Sequence, residues 1–344
     1  MLFFKLFAFT LSLLPFLTAE GIWASEPPKD SPAATTVPVS ASDDAAAVKK
    51  LMKELIQANK KTKWNESIYT DQGWHVHGTS VKGRPLIYFV CGENNPNTTL
   101  MLSSVHGDEV TPVYFGLRLV SWVKGEKDLC RDYRVVVAPL VNPDGYLAAK
   151  STRTNARGVD LNRNFPTKDF DALALRIWKT KLKSEPRRYP GPSGGSEPET
   201  QFQEWLIDQF HPSKILTVHS PLNFYDYDGP DEDVDLKDIA AEYVRSCNDL
   251  HAAVRKASPN YNFLRFGFFP GSLGNYAGKE RGIPTLTLEL PTVDAKKAKS
   301  YFERLKQGTR LLVTYKIRGH VPASLEGTDS TPEEMGSDRE KSAP

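Results

Sequence analysis

Two histidines and one glutamate are the residues of this chain whose types and spacing best suit metal chemistry. His106 and Glu109 stand three residues apart in the segment HGDE, directly after an apolar run, and His219 ends the run ILTVH. Two imidazoles, one carboxylate and an open fourth position for water form the ligand set of a catalytic zinc ion. A histidine and an acid also occur at this spacing by chance, so the third ligand is what favours a zinc site.

Glu289 is the residue best suited to the proton transfer that such a site needs. It lies in the apolar segment PTLTLEL, where an acid is rarely buried unless it is paired or functional. Facing zinc-bound water, its carboxylate would act as a general base and then carry the proton to a leaving amine. The alternative is a strand-end acid paired with an arginine.

A polar loop at 151–166 contains three arginines, Arg153, Arg157 and Arg163. Guanidinium groups bind carboxylates and stabilise an oxyanion that develops during amide hydrolysis. For Arg157, a basic surface loop is the better interpretation.

The elements that must position these residues alternate between strand and helix. Patterns typical of strands occupy 84–91, 99–105, 134–140, 215–219 and 284–290. Helical patterns open at Ser42 and occupy 110–123, 234–257 and 293–315. Near-continuous apolar strands separated by helices predict an α/β fold with a central, largely parallel sheet covered on both faces. Ligands bind such sheets at the carboxyl ends of the strands, which is where the candidate residues fall.

The two ends of the chain differ in composition from its body. Residues 1–25 combine one early lysine, an apolar run too short to span a bilayer and several small residues. This order predicts a signal peptide and an exported, periplasmic or secreted protein without stable membrane insertion after cleavage. Residues 26–43, rich in Pro, Ala, Ser and Thr, predict a flexible linker, and 319–344 predict a disordered acidic tail. The catalytic domain is therefore expected at 44–318.

Charge is also unevenly distributed. The chain is 40% hydrophobic and 25% charged, which excludes collagen, a disulfide miniprotein and a wholly disordered chain. Its net charge of +2 divides into −3 at 25–44, −4 at 319–344 and +9 at 45–318. A basic body would be attracted to an anionic cell wall, and salt would weaken that attraction. We expect no nucleic-acid binding, because no basic stretch interleaved with aromatics supports it.

The three cysteines, Cys91, Cys130 and Cys247, are odd in number, so at least one is not paired within the chain. An oxidising compartment would allow one disulfide, but the sequence does not name its partners. Packing as buried small hydrophobic residues is the favoured interpretation for all three.

Taken in order, these residues resemble the zinc metallocarboxypeptidase family. The matching segments cover most of 100–290 and are His106-x-x-Glu109, Arg153, GVDLNRNF (158–165), YPGPSGGSEPET (189–200), His219-Ser220 and Glu289-Leu290. The resemblance implies a single-domain fold with an eight-stranded mixed sheet and helices on both faces.

The same resemblance assigns roles to the candidate residues. It implies one zinc ion on His106, Glu109 and His219, with Glu289 as general base. It also implies that Arg153 polarises the scissile carbonyl, and that the substrate's terminal carboxylate is held by Asn162 and Arg163.

Further segments resemble the bacterial murein peptide amidase branch, namely HSPLN (219–223), PGSLGNY (270–276) and ELP (289–291). In place of the mobile tyrosine of digestive members, residues 264–270 offer Phe266, Phe268 and Phe269. The resemblance implies a monomer that cuts the γ-D-glutamyl–diaminopimelate bond of peptidoglycan stem peptides. The acidic segment 226–235 is a candidate for the amine of diaminopimelate, although a solvated loop is the favoured interpretation.

Two other functions stay open. One is a general metallocarboxypeptidase that acts on protein or peptide C-termini. The other is a non-catalytic wall-binding module on this fold, which is disfavoured because no ligand, base or anchoring residue is missing.

Overall fold

An eight-stranded mixed sheet forms the centre of the computed structural model, which describes residues 41–70, 72–230, 241–258 and 261–319. The strands are β1 (His75–Thr79), β2 (Pro85–Cys91), β3 (Thr98–Ser103), β4 (Arg134–Ala138), β5 (Lys214–His219), β6 (Phe224–Asp228), β7 (Asn262–Leu264) and β8 (Thr285–Glu289). Their order across the sheet is β1-β2-β4-β3-β5-β8-β6-β7. The four strands β4, β3, β5 and β8 run parallel, and antiparallel strands flank them on both sides.

The central strands are continuously apolar because both of their faces are covered. All six residues of β3 and all six of β5 are buried. Successive side chains of a strand point to opposite faces, and on β3 Leu100 and Leu102 join one apolar cluster while Met101 joins the other. The predicted α/β sheet with two covered faces is confirmed.

Helices supply the cover on both faces. They are α1 (Ala41–Ala58), α2 (Val110–Gly125), α3 (Lys127–Asp132), α4 (Pro143–Tyr146), α5 (Leu175–Thr180), α6 (Pro198–Phe210), α7 (Ala241–Ala257) and α8 (Ala298–Thr314). Buried residues of α1, α2, α7 and α8 belong to the cluster that contains Met101, and those of α6 belong to the other. None of these helices is long and apolar enough to cross a membrane.

Several predicted boundaries need correction. Helix α1 begins at Ala41, so residues 41–43 belong to a helix and not to the expected linker. The last helix begins at Ala298 instead of 293, because the Asp294 side chain accepts a hydrogen bond from the Lys296 amide and starts a short 3₁₀ turn. The predicted signal peptide, the linker up to residue 40, residues 234–240 of the predicted long helix and residues 320–344 of the tail lie outside the described residues.

One expectation about the cysteines was wrong. Cys91, at the end of β2, forms a disulfide with Cys130 of α3, and only Cys247 is a free, buried thiol. The pairing is a consequence of sheet register, because Cys91 lies opposite Val135 on the strand that follows α3.

Candidate metal centre and active site

The three predicted metal ligands meet at the carboxyl edge of the parallel strands. His106 follows the end of β3, Glu109 directly precedes α2, and His219 is the last residue of β5. The register that pairs Ser103 of β3 with Val218 of β5 brings these strand ends together. All three side chains are buried, and their ligand atoms lie within 4.8 Å of one another.

The donor set of this centre fits one cation. Glu109 Oε1 lies 2.7 Å from His106 Nδ1, Glu109 Oε2 lies 3.1 Å from His219 Nδ1, and the two Nδ1 atoms are 3.1 Å apart. Two imidazole nitrogens and a carboxylate directed at one point are the protein ligands of a catalytic zinc ion. Burial opposes the negative charge of Glu109, but the neighbouring His106 and His219 outweigh this cost. They hold the pKa of Glu109 well below its usual range.

A glycine between two of the ligands permits this turn. A Cβ atom at Gly107 would lie 2.2 Å from the carbonyl carbon of Gly145, so only glycine fits against that backbone. The Ser220 amide also donates to Glu109 Oε2 at 3.1 Å, which fixes the carboxylate on the side of His219.

Asp160 orients His106, and it was not among the site residues predicted from the sequence. Its fully buried carboxylate lies 3.1 Å from His106 Nε2 and accepts from Arg153 Nε at 2.8 Å. Burial opposes its charge, but Arg153 and then His106 keep the pKa of Asp160 well below the usual value. Such an outer carboxylate fixes the tautomer of a metal-binding histidine, so that Nδ1 faces the metal. The only signal in the sequence was its place in the segment GVDLN.

Glu289 ends β8 directly beside the second histidine. It is in register with His219 on the neighbouring parallel strand, and its carboxylate accepts from the Leu222 amide at 3.4 Å. Burial raises the pKa of Glu289. Glu289 forms no ion pair with any arginine in the described part of the chain, which removes the paired strand-end alternative.

Two arginines of the polar loop at 151–166 direct their guanidinium groups towards the cavity beside the metal ligands. Arg153 is fixed by Asp160 and lies 3.6 Å from Glu109 Oε1. Arg163 sits over the ring of Phe269, with 4.6 Å between the guanidinium carbon and the ring centroid. Burial lowers the pKa of Arg163 to about 10, so it stays charged at neutral pH. Arg157 is an exposed residue 3.5 Å from Glu197, as the surface-loop interpretation predicted.

A cavity of about 310 Å³ connects these side chains. Six of the seven predicted site residues line it. The seventh, Glu109, does not line the cavity but contacts both histidines. Phe266 and Phe269 also line it. They belong to the segment 264–270, which contains no tyrosine. Two other histidines lie outside the cavity: His75 stacks on Tyr88, and His77 on Trp205.

The acidic segment 226–235 was expected to be a solvated loop, and this expectation is wrong for residues 226–228. They belong to β6, and Asp226 and Asp228 line the cavity. Residues 231–235 lie outside the described residues.

A mixed α/β sheet with a His–Glu–His centre at its carboxyl edge and arginines in the adjoining cavity defines a metallocarboxypeptidase-like protein. The sequence profile of the zinc carboxypeptidase family matches residues 69–307, and the chain belongs to that family. Its metal is accordingly zinc, and His106, Glu109 and His219 are placed to hold it.

Two curated relatives carry a more specific name. Murein peptide amidase A of Escherichia coli K12 is 34% identical over 153 residues, which are 44% of this chain and 60% of that protein. Murein peptide amidase A of Vibrio campbellii is 28% identical over 222 residues, which are 64% of this chain and 79% of that protein. The crystal structure of carboxypeptidase A from Helicoverpa armigera shares the fold, with a TM-score of 0.53, 19% identity and coverage of 80% of this chain and 72% of that one.

Proposed function

We propose that this protein is a zinc-dependent amidase that removes C-terminal diaminopimelate from peptidoglycan stem peptides by hydrolysing the γ-D-glutamyl–diaminopimelate bond. The observation that carries the catalytic part is that the two histidines of the metal centre, Glu289 and Arg163 line one cavity, with Glu109 in contact with both histidines. The names of the relatives support the substrate part, although the match spans only 60% of the Escherichia coli protein.

Substrate placement would depend on Asn162 and Arg163. The Arg163 guanidinium donates one hydrogen bond to the Asn162 carbonyl at 2.5 Å, while its Nε has no partner among the described residues. A partly buried guanidinium with spare donors suits a carboxylate, which it binds with two parallel hydrogen bonds. The terminal carboxylate would thereby hold the preceding amide over the metal ligands.

Proton transfer would depend on Glu289. Zinc, when bound, lowers the pKa of its water to about 7 and polarises a carbonyl. The Glu289 carboxylate would accept the proton of the attacking water and deliver it to the amine of the released diaminopimelate. Arg153, already fixed by Asp160, places a positive charge where the oxyanion develops, without reorganisation during the reaction.

Product analysis would test this function. The purified, zinc-loaded protein and its Glu289→Gln variant would be incubated with L-alanyl-γ-D-glutamyl-diaminopimelate and with hippuryl peptides, and the products weighed by mass spectrometry. We expect the wild-type protein to release diaminopimelate and the variant to release almost none. Release of ordinary C-terminal residues alone would instead identify a general carboxypeptidase, and no product from either substrate would identify a binding module.

We further propose that the protein is exported to an oxidising compartment. The Cys91–Cys130 disulfide supports this, since such bonds persist outside the reducing cytosol. Cell fractionation followed by thiol alkylation would test it. A fully reduced protein in the cytoplasmic fraction would contradict it.

A further inference from the structure

A second cleft, of about 600 Å³, shares no lining residue with the catalytic cavity. Its walls are one face of α2, the start of α8 and residues 62–68, which follow α1. Helix α2 begins one residue after the ligand Glu109. The Thr111 hydroxyl of α2 donates to the Thr292 carbonyl at 2.7 Å, which joins this helix to the turn before α8. The cleft is therefore built on a helix that starts at the metal centre.

The cleft is strongly basic. Its charged residues are four cations and one carboxylate, namely Lys63, Arg118, Lys296, Lys299 and Glu303. The carboxylate already contacts two cations, Arg118 at 3.9 Å and Lys306 at 3.4 Å. The three lysines of the cleft, in contrast, form no ion pair with any residue in the described ranges. Their positive charge is therefore left uncompensated.

The start of α8 adds to this positive charge. Its first turn contains Lys299 and no acid, and the short 3₁₀ turn before it contains Lys296. Cations near a helix N-terminus are unfavourable, because the first amide groups of the helix carry partial positive charge. An anion bound in the cleft would compensate both the lysines and these amide groups.

An aromatic pair lines the cleft and fixes the segment that supplies Lys63. The rings of Trp64 and Tyr114 have centroids 5.1 Å apart, and Trp64 Nε1 donates to the Ala295 carbonyl at 2.9 Å. Lys63 has a φ of 58°, a left-handed conformation that is unfavourable for residues other than glycine. Such a conformation persists only where its surroundings fix it, as the contacts of the next residue do here. The Lys63 side chain therefore starts from a fixed backbone.

The arrangement of the charges favours a polymer with dispersed carboxylates over a compact anion. The three lysines come from two segments of the chain, and each is an exposed point charge. The one guanidinium of the cleft, on Arg118, is engaged by Glu303 and lies over the ring of Phe302. Peptidoglycan displays dispersed carboxylates, because a γ-linked D-glutamyl residue keeps its α-carboxylate and diaminopimelate has a carboxylate at each end.

We propose that this cleft binds the carboxylates of stem peptides that neighbour the one being cut, and so holds the protein on polymeric peptidoglycan. This inference rests on the proposed function and adds a non-catalytic binding surface to it. Because a helix rises about 1.5 Å per residue, Arg118 lies about 14 Å along α2 from Glu109. A polymer can therefore occupy both sites, whereas a soluble stem peptide in the catalytic cavity gains nothing from the cleft.

Binding to sacculi, which are intact peptidoglycan, would test the inference. Cosedimentation of the full chain with purified sacculi that contain diaminopimelate would be measured in a Glu289→Gln background, so that the stem peptides are not cut. We expect the combined change Lys63→Gln, Lys296→Gln and Lys299→Gln to weaken binding by about 3- to 100-fold at low salt, the joint effect of three exposed ion pairs. Added salt should reduce this difference.

A second triple variant controls for net charge. Lys53→Gln, Lys168→Gln and Lys256→Gln remove the same charge from exposed residues that line neither the cleft nor the catalytic cavity. This variant should bind sacculi as tightly as the protein with all its lysines. Sacculi whose carboxylates have been converted to amides should bind both triple variants equally weakly.

The outcomes separate the two proposals. Unchanged binding in the cleft variant, or an equal loss in the charge control, would overturn the inference. Binding to phosphatidylglycerol vesicles that requires the three lysines, without such binding to sacculi, would also overturn it and identify a lipid surface as the partner.

Activity on a soluble substrate is a separate measurement. With Glu289 intact, the cleft variant should cleave L-alanyl-γ-D-glutamyl-diaminopimelate with the kcat/KM and melting temperature of the wild type. A large loss of activity at an unchanged melting temperature would overturn a non-catalytic role for the cleft. A wild-type protein that releases no diaminopimelate would contradict the proposed function, whereas the result with sacculi would still decide whether the cleft binds the wall.

Discussion

Replacing Asp160 with asparagine removes one negative charge between His106 and Arg153 and keeps the shape of the side chain. In the wild-type protein Oδ1 faces His106 Nε2 at 3.1 Å and accepts from the Asn162 amide at 3.1 Å, while Oδ2 accepts from Arg153 Nε at 2.8 Å. The amide oxygen of asparagine can replace only one carboxylate oxygen. If it stays with His106 and Asn162, the amide nitrogen faces Arg153 Nε, and two donors oppose each other.

The expected loss follows from this geometry. Outer partners of metal-binding histidines are worth about 10- to 100-fold in metal affinity or activity, or about 1.4 to 2.8 kcal/mol. We expect Asp160→Asn to lower zinc affinity within this range, measured by competition with a chromogenic chelator. We expect kcat/KM at saturating zinc to fall as well, because Arg153 loses its anchor and keeps only Glu109 at 3.6 Å.

Asp144 provides a matched control. It is equally buried, accepts from Arg84 at 2.6 Å and from the Lys82 amide at 2.8 Å, and contacts no metal ligand. Asp144→Asn should lower the melting temperature without changing zinc affinity. The reasoning would be refuted if Asp160→Asn kept its zinc affinity and activity, or if the control lost as much zinc affinity.

Three further changes have defined outcomes. Glu289→Gln should retain zinc and the melting temperature but lose at least about 100-fold in kcat, the lower range of general-base catalysis; near wild-type turnover would remove Glu289 from its role. Arg163→Ala should lower kcat/KM by at least about 30-fold for a substrate with a free carboxylate, and little for the same substrate with a C-terminal amide; equal losses would contradict carboxylate binding. Replacing Cys91 and Cys130 with serine should destabilise the fold by up to about 4 kcal/mol, because the bond closes a 39-residue separation; an unchanged denaturant midpoint would refute this.

Those strands and site residues that follow from short stretches of sequence could be predicted. The apolar runs that became β3, β5 and β8 have both faces buried or nearly so, and their ends carry or precede His106, His219 and Glu289. A polar residue at the end of an apolar strand is visible without any tertiary information. The candidate metal ligands and the proposed base could therefore be named before the fold was known.

The remaining features depend on contacts between distant segments. β6 has the sequence FYDYD, whose acids suggested a loop, and it becomes a strand because β8 pairs with it along its whole length. Asp160 acquires its role only when the loop after α4 brings it to His106, 54 residues earlier in the chain. The disulfide likewise required the register of β2 and β4, which three cysteine positions do not specify.

Zinc stoichiometry tests the central claim most directly. Elemental analysis of the dialysed wild-type protein should give one zinc ion per chain, and His106→Ala and His219→Ala should each bind much less while keeping the far-ultraviolet circular dichroism of the wild type. A His75→Ala control, outside the centre, should still bind one ion. Full zinc binding in both ligand variants, or none in the wild type after zinc loading, would contradict the assignment of His106, Glu109 and His219 as the metal centre.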